Sequence, residues 1–189
     1  MHRISRSTTR PPSANDRCQV VRRGTDALRL WQTDVVATRI GIISDTHGLV
    51  RPEALRALEG SDRIVHAGDI GTRDVLAALA AIAPVTAVRG NNDTAAWARA
   101  LGDTAAVETD GVRLWVLHDV GELDLSPRAA GIAAVIAGHS HRPSIQSRDG
   151  ALFVNPGSAG PRRFHLPVSI ARMVVDAGAV RAELVTLEV

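Results

Sequence analysis

From Arg39 onward one local pattern recurs five times: a short apolar run stops at a carboxylate, an amide or a histidine, most often beside a glycine. Ile40-Gly41-Ile42-Ile43 runs into Ser44-Asp45-Thr46-His47-Gly48, and Ile64-Val65-His66-Ala67 runs into Gly68-Asp69. Val85 to Val88 runs into Arg89-Gly90-Asn91-Asn92-Asp93, Val112 to Leu117 ends at His118, and Ala133 to Ala137 ends at Gly138-His139-Ser140-His141. Apolar runs this short, bounded by turn residues, read as buried strands. Helical stretches separate the first three: Pro52 to Leu58, with proline at its start, and Arg73 to Ala83. Strands alternating with helices pair in parallel through crossovers.

After Asn91 strand signals dominate. Ala105 to Thr109 and Val112 to Leu117 flank Asp110-Gly111, Ile145 to Ser147 and Leu152 to Val154 flank Asp149-Gly150, and Val168 to Val175 and Val180 to Leu187 flank Ala177-Gly178. Asp-Gly between two such runs is a hairpin signal. A βαβαβ half followed by a mainly β half predicts an α/β fold of two packed mixed β-sheets flanked by helices, without internal repeats.

A chain of 189 residues that is 45% hydrophobic suits one domain with a real core. Aromatic residues make up only 3% and Tyr is absent, so Val, Ile, Leu and Ala must fill that core. The lone Cys18 excludes a disulfide framework and a multi-thiolate zinc site, and reads as an inert thiol. No stretch approaches the ~20 apolar residues of a membrane helix, so the reading is a soluble, cytoplasmic protein with no membrane partner.

Charge divides the chain. Its 22 basic residues are all arginine; residues 1–38 carry seven of them against three acids, whereas residues 39–189 carry 15 against 17. The body is mildly acidic and lacks the basic footprint of a nucleic-acid binder. Residues 1–38, rich in Ser, Thr, Pro and Arg, read as a basic, structureless extension. They lack the apolar stretch of about 7–15 residues that a secretory signal needs. The domain is assigned to 39–189.

The polar residues at the strand ends carry the chemistry. Asp45, His47, Asp69, Asn91, His118, His139 and His141 comprise two carboxylates, an amide oxygen and four imidazoles, all where open α/β sheets gather ligands. Mixed N and O donors without thiolate suit Mn²⁺, Fe, Zn²⁺, Co²⁺ or Ni²⁺ rather than a Ca²⁺ cage. A lone Asp-x-His or His-x-His is more often a satisfied polar loop; five clusters, each just past an apolar strand, are not. Seven donors exceed the needs of one catalytic ion but serve two if a carboxylate bridges them, and ions ~3.5–4 Å apart clamp a phosphate for in-line displacement.

Asp45-x-His47, Gly68-Asp69, Gly90-Asn91, His118 and Gly138-His139-x-His141 together resemble the five motifs of the calcineurin-like metallophosphoesterases. The compact length, Ser44-Asp45-Thr46-His47-Gly48 and Asn155-Pro156-Gly157-Ser158 are similar to the small single-domain YfcE-like phosphodiesterase branch. The resemblance spans about residues 39–189 and implies a four-layer sandwich. It implies one metal held by Asp45, His47, Asp69 and His141, and a second held by Asp69, Asn91, His118 and His139. Asp69 would bridge, and a hydroxide shared by the metals would attack phosphorus. Manganese is the foremost metal expected, with Fe, Zn, Ni and Co as alternatives. Asn91, Asp93 and Asp69 form the expected catalytic set, and Asn92, Arg162 and Arg163 the expected substrate contacts. The implied activity is hydrolysis of small phosphate esters, diesters favoured over monoesters, and the C-terminal strands offer an edge for a homodimer.

Two departures qualify this. Many superfamily members carry Gly-Asn-His-Asp or -Glu, and the small branch often has Cys in place of that His; Asn92 stands there and cannot act as a general acid. Substrates whose alcohol leaves without a proton should therefore react best. His118-Asp119-Val120 also stands where the branch commonly has His-Gly-His. The same compact fold resembles a retromer subunit that serves as a protein-interaction scaffold, so a non-catalytic or weakly catalytic scaffold is the alternative. Against it, all seven donors are kept, and buried unpaired carboxylates are costly without a cation. Among the other residues, His66 reads as packed or hydrogen-bonded in its strand, and Trp97 and Trp115 as core.

Overall fold

The computed structural model describes residues 18–20, 37–163 and 165–189. Most of the expected N-terminal extension, with Trp31, lies outside them. In chain order the described strands are β1 (Cys18–Val20), β2 (Thr38–Ile43), β3 (Arg63–His66), β4 (Val85–Ala87), β5 (Thr104–Thr109), β6 (Val112–Leu117), β7 (Ile132–Ile136), β8 (Ser144–Arg148), β9 (Ala151–Asn155), β10 (Ser169–Asp176) and β11 (Ala179–Thr186). Helix α1 (Pro52–Leu58) joins β2 to β3, and α2 (Arg73–Ala80) joins β3 to β4.

The strands form two mixed sheets. The first runs β1-β11-β10-β2-β3-β4, and the second β5-β6-β7-β9-β8. β2, β3 and β4 pair in parallel, as the alternation with helices requires, while β10 lies antiparallel to β2 and β11. In the second sheet β6, β7 and β9 are parallel, and β5 and β8 join as hairpin partners. The hairpin turns Asp110-Gly111, Asp149-Gly150 and Ala177-Gly178 all have positive φ at both residues, the tight geometry that matches strand twist. β1 was not expected: three residues of the segment read as structureless add a parallel strand beside β11.

The main core lies between the sheets, where Ile40, Ile42, Val65 and Met173 meet Leu114, Val116, Ile136 and Leu152. Each such side chain contributes roughly 1.5–3 kcal/mol on burial. Leu58, Val75 and Leu79 of the helices cover the other face of the first sheet, against Ile43, Ile64 and Ile170. Both flanking helices lie there. Over the second sheet, the cover is the segment after β6, whose Leu123 and Leu125 pack near Trp115, Val135 and Phe153 around a single 3-10 turn, Val120–Glu122.

One local expectation shifts. α2 stops at Ala80 rather than Ala83, because Pro84 disfavours helix in the residue before it and Ala81–Ala83 turn instead. Ala96–Ala100 forms a 3-10 turn that carries Trp97 into the helix-side core. Among the described residues, no helix is long and apolar enough to cross a membrane.

Candidate metal centre

All seven expected donors come from loops that leave the carboxyl ends of parallel strands, and five of them, Asp45, His47, Asp69, His118 and His141, converge where the two sheets meet. The loops after β2 and β3 run side by side: Asp45 N–H donates to Gly68 O (3.0 Å), His47 N–H to Asp69 O (2.9 Å) and Gly48 N–H to Ile70 O (2.8 Å). Asp45, His47, Asp69, His139 and His141 all adopt left-handed backbone, with φ between 48° and 64°. Side chains rarely accept that conformation, and such strain concentrates at functional sites.

The donor atoms face one another. His141 Nε2 lies 3.2 Å from Asp45 Oδ1 and 3.5 Å from His47 Nε2. Asp69 Oδ2 lies 3.5 Å from His118 Nε2 and 3.9 Å from His47 Nε2. His118 Nε2 is also 3.2 Å from Asn91 Oδ1. Two compact groups result, Asp45–His47–His141 and Asp45–Asp69–His118. Asp45 belongs to both, while Asp69 faces a histidine from each.

The surrounding hydrogen bonds aim these atoms. His118 Nδ1 donates to the carbonyl of Ala67 (2.7 Å), which leaves the Nε2 lone pair facing the site. Asp45 Oδ2 accepts from Ser44 Oγ (2.6 Å) and from His139 N–H (3.1 Å). Its Oδ1, fully buried, accepts no hydrogen bond among the described residues. Burial pushes the Asp45 carboxyl up to about 6. Burial, Arg163 and His47 lower His141 to about 4, and burial lowers His47 as well. Burial opposes ionisation of Asp69 and protonation of His118, but His118 3.5 Å away and the two Asn92 donors lower the carboxyl, and Asp69 with the Ala67 carbonyl raises the imidazole. Buried carboxylates beside largely neutral imidazoles, with one oxygen lacking any donor, fit a divalent cation.

The remaining expected residues divide. His139 stands at the rim, 45% exposed, with Nδ1 3.1 Å from Asn91 Oδ1 and Nε2 3.6 Å from Asp119 Oδ2, outside both compact groups. Asn92 donates to Asp69 through its N–H (2.8 Å) and its side-chain amide (2.6 Å). Arg163 Nη2 reaches within 3.5 Å of His47 Nε2, at the mouth. Arg162 instead turns to the Val189 carbonyl (3.3 Å), away from the donors. Asp93, expected among catalytic groups, is buried and accepts from the backbone N–H of Ile70, Gly71 and Gly90 (2.8–3.1 Å). Its oxygens tie the loops after β3 and β4 together, so it shapes the site from behind.

Three residues that the sequence shows within motifs, but to which it gave no role, brace the loops. Ser44 holds Asp45, Ser158 Oγ donates to Asp45 O (2.9 Å), and Asn155 Nδ2 donates to Gly138 O (2.6 Å) and Ser140 Oγ (3.1 Å). Asn155 ends β9, so the strand-end rule that found the donors would have marked it too.

Residues 38–178 match the calcineurin-like phosphoesterase superfamily domain. The chain belongs to that superfamily. It is 31% identical over 158 residues to a protein of Methanothermobacter thermautotrophicus named "probable metallophosphoesterase", covering 77% of this chain and 91% of that one. It is 27% identical to a phosphodiesterase of Methanocaldococcus jannaschii over 138 residues, 63% of this chain and 82% of the other. Among solved structures, Entamoeba histolytica Vps29 complexed with zinc superposes with a TM-score of 0.60 at 20% identity, covering 80% of this chain and all of that one. The expected sandwich is thus the fold of this superfamily.

Proposed function

We propose that this superfamily member is a divalent-metal-dependent phosphodiesterase with two ions per chain, manganese foremost. The observation that carries the reading is the convergence of Asp45, His47, Asp69, His118 and His141, from both sheets, around a buried Asp45 oxygen to which nothing among the described residues donates. Asp45, His47, Asp69 and His141 would hold one ion; Asp69, Asn91, His118 and His139 the other. Bound there, divalent ions neutralise phosphoryl oxygens and lower the pKa of water.

The chain's own groups supply the rest. Arg163 brings a guanidinium to the mouth, suited to non-bridging phosphoryl oxygens. The Asn92 amide, beside Asp69, can donate to an ester oxygen but has no proton to give up. Aryl diesters, whose alcohol leaves unprotonated, are therefore the favoured substrates. The related phosphodiesterase of M. jannaschii supports diester over monoester. Asn92 and the likeness to Vps29 favour a second reading, a scaffold in which the same ions are structural.

Metal analysis of purified protein, paired with bis-p-nitrophenyl phosphate turnover before and after chelation and Mn²⁺ addition, tests this. About two ions per chain, with turnover restored by Mn²⁺ and abolished by Asp69→Asn and His141→Ala, is the expected result. Two ions without turnover of diesters or monoesters would move the assignment to the scaffold. No bound metal in excess Mn²⁺ would overturn both.

A further inference from the structure

Beneath the ligand loops lies a hydrogen-bonded bridge that the proposed chemistry does not use. His66 ends β3 with its ring fully buried, and its Nε2 lies 2.9 Å from Thr46 Oγ1. Thr46 Oγ1 in turn lies 2.9 Å from the Ile70 carbonyl. Thr46 sits between Asp45 and His47, and Ile70 follows Asp69, so the bridge joins the two loops that carry three of the donors.

The proton positions follow from the acceptors. A carbonyl can only accept, so the single Thr46 hydroxyl proton is committed to Ile70, and the hydroxyl oxygen must accept from His66. That fixes His66 as the Nε2–H tautomer and leaves Nδ1 as a lone pair, which has no partner among the described residues. An orphaned acceptor is more readily tolerated in an interior than an orphaned N–H.

We propose that His66 is a positioning residue for metal binding, which acts through Thr46 to lock the paired loops bearing Asp45, His47 and Asp69. This rests on the metal-binding reading above. Two observations favour it over simple packing. An imidazole with one unpartnered nitrogen is a poorer core filler than Phe or Leu, so its presence between Val65 and Ala67 needs another reason. Asp45, His47 and Asp69 also hold φ values of 53°, 48° and 54°, and strained backbone persists only where its surroundings over-determine it. Thr46 stands between two of these residues and is anchored on both sides. Burial pushes the His66 imidazole down to about 3, so it remains a neutral donor throughout the physiological range.

Chelated, metal-free protein titrated calorimetrically with Mn²⁺ gives the test, with metal-free unfolding temperature recorded alongside. Thr46→Val and His66→Phe should each weaken Mn²⁺ binding about tenfold or more, the lower end of the effect for groups that orient ligands. His66→Gln, whose amide can still donate to Thr46, should recover wild-type affinity. The double variant Thr46→Val/His66→Phe should bind no more weakly than either single one, because both remove the same bridge. Wild-type affinity in Thr46→Val, or a His66→Gln protein as impaired as His66→Phe, would overturn the inference. Lowered unfolding temperatures with unchanged affinity would overturn it too, because that is the signature of packing alone. Should His66→Phe fail to fold, Thr46→Val decides. If the wild type binds no Mn²⁺, the metal-binding reading falls and takes this one with it; tight wild-type binding with equally tight variants sinks only the inference.

Discussion

Asp45 shows at the scale of one residue how a candidate metal site opposes the fold that carries it. Its carboxyl is fully buried, and burial raises it from 3.8 to about 6. Between those values the metal-free folded state holds a proton that the unfolded chain has released. Stability on this account is therefore full below pH ~4, falls as pH rises toward 6, and stays diminished above, by about 3 kcal/mol at most. Asp45→Asn removes the charge but keeps an oxygen to accept from Ser44 and His139. In EDTA at pH 8 this variant should be more stable than wild type by about 1–3 kcal/mol, and the difference should vanish near pH 4. Denaturant titrations at the two pH values check it. An Asp45→Asn protein no more stable at pH 8 would mean that burial does not strain this carboxylate.

At the scale of the elements, the loops matter more than the strands they extend. Gly138 closes β7 against the first sheet, where an added Cβ would meet Ser44 Oγ and sit 2.6 Å from Asp45 Oδ2. Gly138→Ala should therefore push the His139–His141 loop away from Asp45. We expect Mn²⁺ affinity to fall more than tenfold while stability changes by about 1–3 kcal/mol, the usual cost of overpacking. Gly131→Asn, whose Cβ would meet nothing within 4 Å and whose left-handed φ of 67° asparagine tolerates, should leave the affinity unchanged. Far-UV circular dichroism with metal titration separates the two, and equal affinities would mean that the loop can relax around the methyl group. Much of this level was legible in the chain. Asp-Gly pairs marked two hairpins, Pro52 marked α1, and abrupt ends to apolar runs marked the donors, because each is set by local sterics or by strand burial. What escaped depends on distant partners. Asp93 looked catalytic beside Asn91, yet its carboxylate bonds backbone N–H groups from a loop more than 20 residues away. Arg162 and Arg163 are indistinguishable in the chain, and only the path of the backbone turns one to Val189 and the other to His47. Leu123 and Leu125 show no helical spacing, so the cover of the second sheet could not be read as an element at all.

At the scale of the whole molecule, the donors belong to opposite halves of the sandwich. Asp45, His47, Asp69 and Asn91 leave the first sheet, whereas His118, His139 and His141 leave the second. An ion held by Asp45, His47 and His141, or by Asp69 and His118, therefore ties the two sheets at one end of their shared core. Its binding free energy adds directly to the stability of the sandwich, because the unfolded chain does not hold these groups together. Free Mn²⁺ at about 1,000 times its dissociation constant contributes about 4 kcal/mol. For a domain of this size that is a rise of about 8–16 °C in the unfolding midpoint. Asp69→Asn and His141→Ala remove donors from opposite sheets, so either should abolish most of the rise. Calorimetric scans with and without metal measure it. A wild-type midpoint indifferent to Mn²⁺, or a rise that survives both substitutions, would mean that the ions do not join the sheets through these residues. In hydrogen exchange the gain should appear in β2 and β3 and equally in β7, since a cross-link between two layers protects both, whereas a site confined to one sheet would slow exchange there alone.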